Sequence, residues 1–398
     1  MILLCIFVGS DSDDLPIITT NFLIEISILF MSNHRSMPYH RSMPNHRFMP
    51  NQYSSSIRAG ATSPTFTSNL FKKTMRHLLH SLFSVFLVCT SVTAYAQALT
   101  NAVPPRVLDP DAGLSVILLG TGVPLPNPLR ATACTAVIAG DRVFLVDTGR
   151  NCIVPLNLSG IRDITGIFYT HYHSDHFIGL GEILLNMGIA GNTGSVPIRG
   201  PVGAKEVVAG IEAAYSLDLK YRVTHHGDKF SADIMQPTVT EFEPGVIFES
   251  DGLKVTMFNV CHQPIDPAVG YRFEYLNKSV VVSGDTNVCP DYAEGARNAD
   301  LLVSEVENVQ MWNAAIALMQ RNNNPRQAAM IQEGVDYHAD SLALARMAQE
   351  VGVKKLALTH IFPSIPPTDG AEAMFIQGMS DFYKGPILVG RDGMEVSP

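Results

Sequence analysis

Charge is scarce in this chain of 398 residues: Asp, Glu, Lys and Arg together make up 16%. Hydrophobic residues reach 46%, so a large core can form and global disorder is excluded. Basic side chains are the scarcer sign, 28 against 37 acidic, for a net charge of −9. Setting aside the seven basic and four acidic residues of positions 1–96 leaves 21 and 33, a balance of −12. A polyanion-binding protein usually shows the opposite sign, at least locally. No C-x-x-C pair occurs among Cys134, Cys152, Cys261 and Cys289, which argues against a cysteine-based zinc site. These four can form up to two disulfides or remain buried thiols. Gly120-Thr-Gly122 lacks both the G-x-G-x-x-G spacing and a following helix, so a dinucleotide site is rejected.

Long apolar runs are missing too. Leu78–Val88 is short for a transmembrane span, with an uncleaved membrane anchor as the rival reading. With Lys72, Lys73 and Arg76 before it and Ala94-Tyr95-Ala96 after it, residues 75–96 read as a secretory signal peptide cut after Ala96. A periplasmic or secreted protein with no stable membrane span follows from that reading. Residues 1–74 carry a period-six repeat beginning at Asn33, Tyr39 and Asn45, with almost nothing apolar to bury. They read as a spurious or disordered extension. Residues 97–398 form the folded domain, with an inserted region at about 196–245.

What the mature chain does have is Thr-His-Tyr-His-Ser-Asp-His at 170–176. Only eight histidines lie beyond residue 96, and three of them fall in this motif. His171 and His173 at a strand end can clamp one metal ion, and the turn Asp175-His176 presents two ligands to a second. Zinc favours this mix of imidazole and carboxylate. Three further ligands close apolar strands: His262 after Lys254–Val260, Asp285 after Val281–Ser283, and His360 after Leu356–Thr359. Short apolar strands at 114–119, 134–138, 142–147, 165–169, 253–260, 270–275, 279–283, 301–306 and 355–359 alternate with helical patterns at 177–187, 203–218, 308–321, 340–351 and 371–383. Two packed sheets with helices outside accommodate that order.

With these motifs, residues 114–396 resemble the metallo-β-lactamase superfamily. The resemblance implies an α/β fold, the αββα sandwich of two packed mixed sheets with outer helices, and a dinuclear site at one sheet edge. It places His171, His173 and His262 on one Zn2+, Asp175, His176 and His360 on the other, and Asp285 between them, with a bridging hydroxide as nucleophile. Asp285, 23 residues after His262, is a hard anionic bridge that argues against a β-lactamase. Gly120-Thr-Gly-Val-Pro124, Phe144-Leu-Val-Asp147-Thr-Gly149, Gly270-Tyr-Arg272 and Ser283-Gly-Asp-Thr286 are similar to the ribonuclease Z and arylsulfatase-like group. In that group a glutamate and a later histidine protonate the leaving group, and Glu305 and His338 occupy those places. His338-Ala-Asp340 departs from the group's His-Ser/Thr-Thr. Asp175 is expected to assist proton removal.

The expected activity is therefore that of an exported dinuclear zinc hydrolase of small-molecule esters, arylsulfatase-like, acting on sulfates or phosphodiesters. A ribonuclease Z-type tRNA 3′-processing endonuclease is the alternative, and a lactonase or β-lactamase-like amide hydrolase a further one. Residues 196–245 hold five Lys/Arg against seven Asp/Glu, which weighs against nucleic acid as a partner. A homodimer is compatible with this reading. His225-His226 reads as an exposed loop pair, and Trp312 with Met311 as a core or lid anchor.

Overall fold

Strands β1 (Leu114–Gly120), β2 (Cys134–Ala139), β3 (Arg142–Val146), β4 (Gly166–Phe168), β5 (Pro197–Gly200) and β6 (Thr238–Glu241) build one sheet. A second sheet holds β7 (Gly245–Ser250), β8 (Leu253–Asn259), β9 (Val269–Tyr275), β10 (Lys278–Val282), β11 (Leu301–Glu307), β12 (Leu356–Phe362) and β13 (Ile387–Val389). The last strand, β14 (Met394–Val396), returns to the first sheet and pairs antiparallel with β1. The strand orders are β14-β1-β2-β3-β4-β5-β6 and β13-β12-β11-β10-β9-β8-β7. This computed structural model describes residues 103–398 apart from Asp336, together with Met75 and Arg76. The repeat reading, and the signal-peptide reading beyond Arg76, therefore lie outside the described residues. The chain divides into the units Met1–Phe83 and Ser84–Pro398, and both sheets lie within the second.

Side-chain alternation along the strands explains the layering. In β1, Val116 and Leu118 join Phe144, Phe168, Val255, Tyr271 and Phe273 in a core between the sheets. Their neighbours Ile117 and Leu119 face the other way and meet Leu156, Ile183 and Val208 from helices 153–158, 180–189 and 204–226. The second sheet repeats this: Leu301 and Val303 point inward, while Leu302 and Val306 meet Tyr292, Leu344 and Phe375 from helices 290–296, 341–350 and 369–375. Helices thus cover the outer face of each sheet. The expected αββα sandwich is the observed fold, and both sheets are mixed, with β3–β6 and β10–β13 parallel runs beside antiparallel hairpins.

Several boundaries differ from the sequence reading, each for a local reason. The helix expected over 203–218 runs on to His226, so His225 and His226 are exposed at a helix end rather than in a loop. Segment 196–245 does more than stand as an insertion: it supplies β5 and β6 to the first sheet. The helix expected over 371–383 breaks in two at Gly378, whose φ of 86° is left-handed. Among the cysteines, Cys261 and Cys289 form a disulfide, whereas Cys134 and Cys152 are free, buried and adjacent. No helix among the described residues is long and apolar enough to cross a membrane.

Candidate metal centre

Strand ends and the turns that follow them bring all seven expected ligands to one edge of the sandwich. His171 and His173 follow β4, and Asp175 and His176 sit in the four-residue helix Ser174–Phe177. His262 follows β8, Asp285 follows β10, and His360 lies within β12. All are buried except His173, which is half-buried. Burying this many polar groups is costly unless they share a partner.

The donor atoms fall into groups. His171, His173, His262 and Asp285 offer atoms that all lie within 4.8 Å of one another, and so do Asp175, His176 and His360. In the first group His171 Nε2 lies 3.0 Å from His173 Nδ1, and His262 Nε2 lies 3.4 Å from that same atom. Asp285 Oδ2 stands 3.8 Å from His171 Nε2 and 3.9 Å from His262 Nε2. In the second group His176 Nε2 and His360 Nε2 lie 3.6 and 3.3 Å from Asp175 Oδ2. The same Asp285 Oδ2 is 3.3 Å from His176 Nε2 and 3.5 Å from His360 Nε2. Two ligands on one tetrahedral zinc, each bonded at about 2.0–2.1 Å, stand about 3.3 Å apart. The spacings within the two groups, 3.0–3.9 Å, bracket that edge length, and one carboxylate oxygen lies beside both groups. His176 Nε2 and Asp285 Oδ1 are buried with no hydrogen-bond partner, as atoms reserved for a cation would be.

Neighbouring groups fix which ring nitrogen faces the centre. Asp147 ends the β3 run with a left-handed φ of 61°. Its carboxylate accepts from His176 Nδ1 at 2.8 Å and from the Thr170 amide and hydroxyl at 2.9 and 2.8 Å. Burial pushes the Asp147 carboxyl upward, and His176 and Thr170 hold it against that push. Thr170 Oγ1, already donating to Asp147, can accept from His171 Nδ1 at 3.1 Å. His262 Nδ1 donates to the Tyr337 carbonyl at 3.1 Å. Outer partners of this kind orient metal-binding imidazoles. Sequence reasoning does not single out Asp147, Thr170 or Tyr337 as site residues. For Asp147 a signal exists, since it closes an apolar strand just as Asp285 does.

His360 owes its aim to a register break. Glu305 pairs with Thr359 and Val306 with Ile361, so His360 is the extra residue of a bulge, with a φ of 43°. Beside it, His338 Nδ1 and Glu305 Oε2 are 2.7 Å apart and both residues are buried. Thr286 N–H donates to the other Glu305 oxygen. Asp285, Glu305, His338 and His360 form a further group with donor atoms within 4.8 Å. The departure at Asp340 has a structural explanation: its carboxylate caps helix 341–350 by accepting from the Leu342 and Ala343 amides, which fixes the turn carrying His338.

Electrostatics follow from this crowding. Burial pulls the His171, His262 and His173 imidazoles down, favouring the neutral forms that can ligate. For His176 burial acts downward as well, but Asp285, Asp175 and Asp147 outweigh it and raise the group. Burial works against ionised Asp285, yet His360, His176 and His171 hold it well below the usual carboxylate range. His338 is pushed up to about 9, because Glu305, Asp285 and Glu307 overcome the downward effect of burial. Elsewhere, Trp312 is buried with its ring 4.6 Å from that of Phe362, which in turn lies 5.2 Å from the His338 ring.

A two-sheet sandwich with paired His/Asp clusters at one edge defines a class, the metal-dependent hydrolases of this fold. The chain belongs to the β-lactamase superfamily: the family model described as "Beta-lactamase superfamily domain" matches residues 142–361. Curated relatives carry the name ribonuclease Z. One from Mycobacterium bovis (strain BCG / Pasteur 1173P2) is 33% identical over 292 residues, 72% of this chain and 99% of that protein. Another from Mycolicibacterium paratuberculosis is 35% identical over 257 residues, 63% of this chain and 87% of that protein. Among solved structures, the metallo-β-lactamase fold protein YhfI from Bacillus subtilis aligns with a TM-score of 0.52 at 19% identity, covering 72% of this chain and 99% of its own. Human tRNase Z, short form, aligns with a TM-score of 0.51 at 20% identity, covering 71% and 98%. Relatives named for a ribonuclease stand against the expectation that nucleic acid is not a partner.

Proposed function

We propose that this chain hydrolyses phosphodiesters with two zinc ions. His171, His173 and His262 would hold one ion, Asp175, His176 and His360 the other, and Asp285 would contribute to both. The Glu305–His338 pair carries the reading, because a proton donor sits in the same tight group as Asp285 and His360. Bound zinc supplies a water-derived nucleophile near neutral pH and offsets charge on the attacked centre. Glu305 holds Nδ1–H of His338, which leaves Nε2 to carry a proton to the departing oxygen. Asp175 would take a proton from the attacking water. The same arrangement can act at any tetrahedral phosphorus or sulfur. The relatives' name favours phosphorus, and RNA among phosphodiesters.

A second reading keeps the chemistry and changes the substrate to a small diester or sulfate ester met outside the cytoplasm. Two observations favour it: the acidic balance of residues 196–245, and the Cys261–Cys289 disulfide, a bond that persists in oxidising compartments. The test runs zinc-loaded protein on bis(p-nitrophenyl) phosphate, p-nitrophenyl sulfate, a lactone and a 3′-extended tRNA precursor. Diester turnover that a chelator abolishes and zinc restores is expected. Accurate precursor cleavage assigns RNA, whereas sulfate turnover without diester turnover sinks the phosphodiesterase reading.

A further inference from the structure

Cys261 immediately precedes His262, and Cys289 follows Asp285 by four residues. Their disulfide, with Cα atoms 6.3 Å apart, ties the loop after β8 to the loop after β10. These strands are not neighbours, because β9 lies between them in the sheet. The ladder alone therefore does not hold the two ligand loops together. Two hydrogen bonds run beside the disulfide: Asn287 N–H donates to the Cys261 carbonyl at 2.7 Å, and Cys261 N–H donates to Thr286 Oγ1 at 3.0 Å. The strapped pair carries His262 and Asp285, whose donor atoms must keep their 3.9 Å spacing to share one ion with His171 and His173. Both cysteines are half-buried, so a small reductant can reach them, while Cys134 and Cys152 are buried.

We propose that the Cys261–Cys289 disulfide is a positioning element of the metal centre, which sets how tightly the His171/His173/His262/Asp285 group retains its ion. Reduction by a dithiol breaks the S–S bond, forms two thiols and leaves the dithiol as its own disulfide, so the electrons balance. The loop bearing His262 then keeps only its hydrogen bonds, and the first group loosens. The second group keeps Asp175, His176 and His360 on elements the disulfide does not touch, and shares only Asp285 with the strapped loops. The inference rests on the dinuclear zinc reading of the site.

The experiment loads the full chain with zinc under non-reducing conditions and follows zinc transfer to a chromogenic chelator, with and without dithiol. Alkylation and mass spectrometry report which cysteines have opened. One zinc equivalent is expected to leave about 10-fold faster or more in the reduced protein, the other with a clearly smaller change, with retention restored on reoxidation. The Cys261→Ser/Cys289→Ser variant should reproduce the reduced behaviour without reductant. If that variant does not fold, the reduced native chain carries the test. A lower melting temperature with both release rates unchanged, or both rates rising by the same factor, overturns the proposal and leaves the metal centre standing. Failure of both redox forms to take up zinc overturns the metal reading and the proposal with it.

Discussion

The His338 imidazole and the Glu305 carboxylate meet at 2.7 Å, 33 residues apart in sequence and both beneath the surface. Because Glu305 occupies Nδ1, only Nε2 of His338 can exchange a proton with a ligand. His338→Ala should lower turnover of diesters with poor leaving groups by about 10²–10⁴-fold, and barely affect p-nitrophenyl substrates that leave without help. Rates across a leaving-group series, with zinc content measured in parallel, provide the check. A uniform loss would remove His338 from the donor role.

The same pair predicts a pH limb. His338 is raised to about 9, so it stays protonated at neutral pH and loses its proton above. Turnover that depends on it should fall as pH rises through about 9. The stability contribution has the same sign: a folded-state value above the unfolded one gives stabilisation that is complete below about 6.5 and is lost as pH climbs through about 9. Glu305→Gln removes the main upward influence and should move the limb to lower pH in a pH–rate profile. An unmoved limb would assign it to another group.

Asp147 touches His176 but belongs to neither donor group. Asp147→Asn should therefore weaken zinc binding by about 10–100-fold, read by competition with a chelating dye, while folding is preserved. Unchanged affinity would mean that His176 does not need its carboxylate partner.

Asp300 offers a test of the scaffold away from the centre. It accepts from the Ser279 amide and hydroxyl and from Lys278 and Lys354, fastening β10 beside β11. Burial would raise its carboxyl, but Lys354, the Ser279 amide and Lys278 hold it at about 2. A depressed value gives stabilisation that is present above the unfolded value and lost as pH falls toward 2. Asp300→Ala should cost about 1–3 kcal/mol at pH 7 by leaving the Ser279 amide unpaired. Urea midpoints should converge between native chain and variant as the pH is lowered. A gap constant with pH would rule out the ionised carboxylate as the cause.

Much of this centre could be read from the chain, because ligand chemistry is tied to residue type and strand ends are marked by apolar runs. His262, Asp285 and His360 each follow such a run, and each arrives at the cluster. Strands β6, β13 and β14 could not be read: they span four, three and three residues, and β6 alternates between exposed and half-buried positions, so no hydrophobic pattern marks it. The Cys261–Cys289 pairing was equally hidden. Two cysteines 28 residues apart carry no spacing signal, and they meet only where the loops after β8 and β10 converge past the intervening β9. Substrate choice stayed open because it is set by pocket shape rather than by the ligand motifs.

The left-handed backbone at His360 has one more consequence. Glycine adopts φ near 43° at no steric cost, whereas most L-residues are disfavoured there. The bulge in β12 would accept glycine readily, so the histidine is there for the cluster and not for the strand. A variant library sorted only for heat resistance should therefore enrich inactive sequences at codon 360, and any programme to harden this protein must select for catalysis in every round.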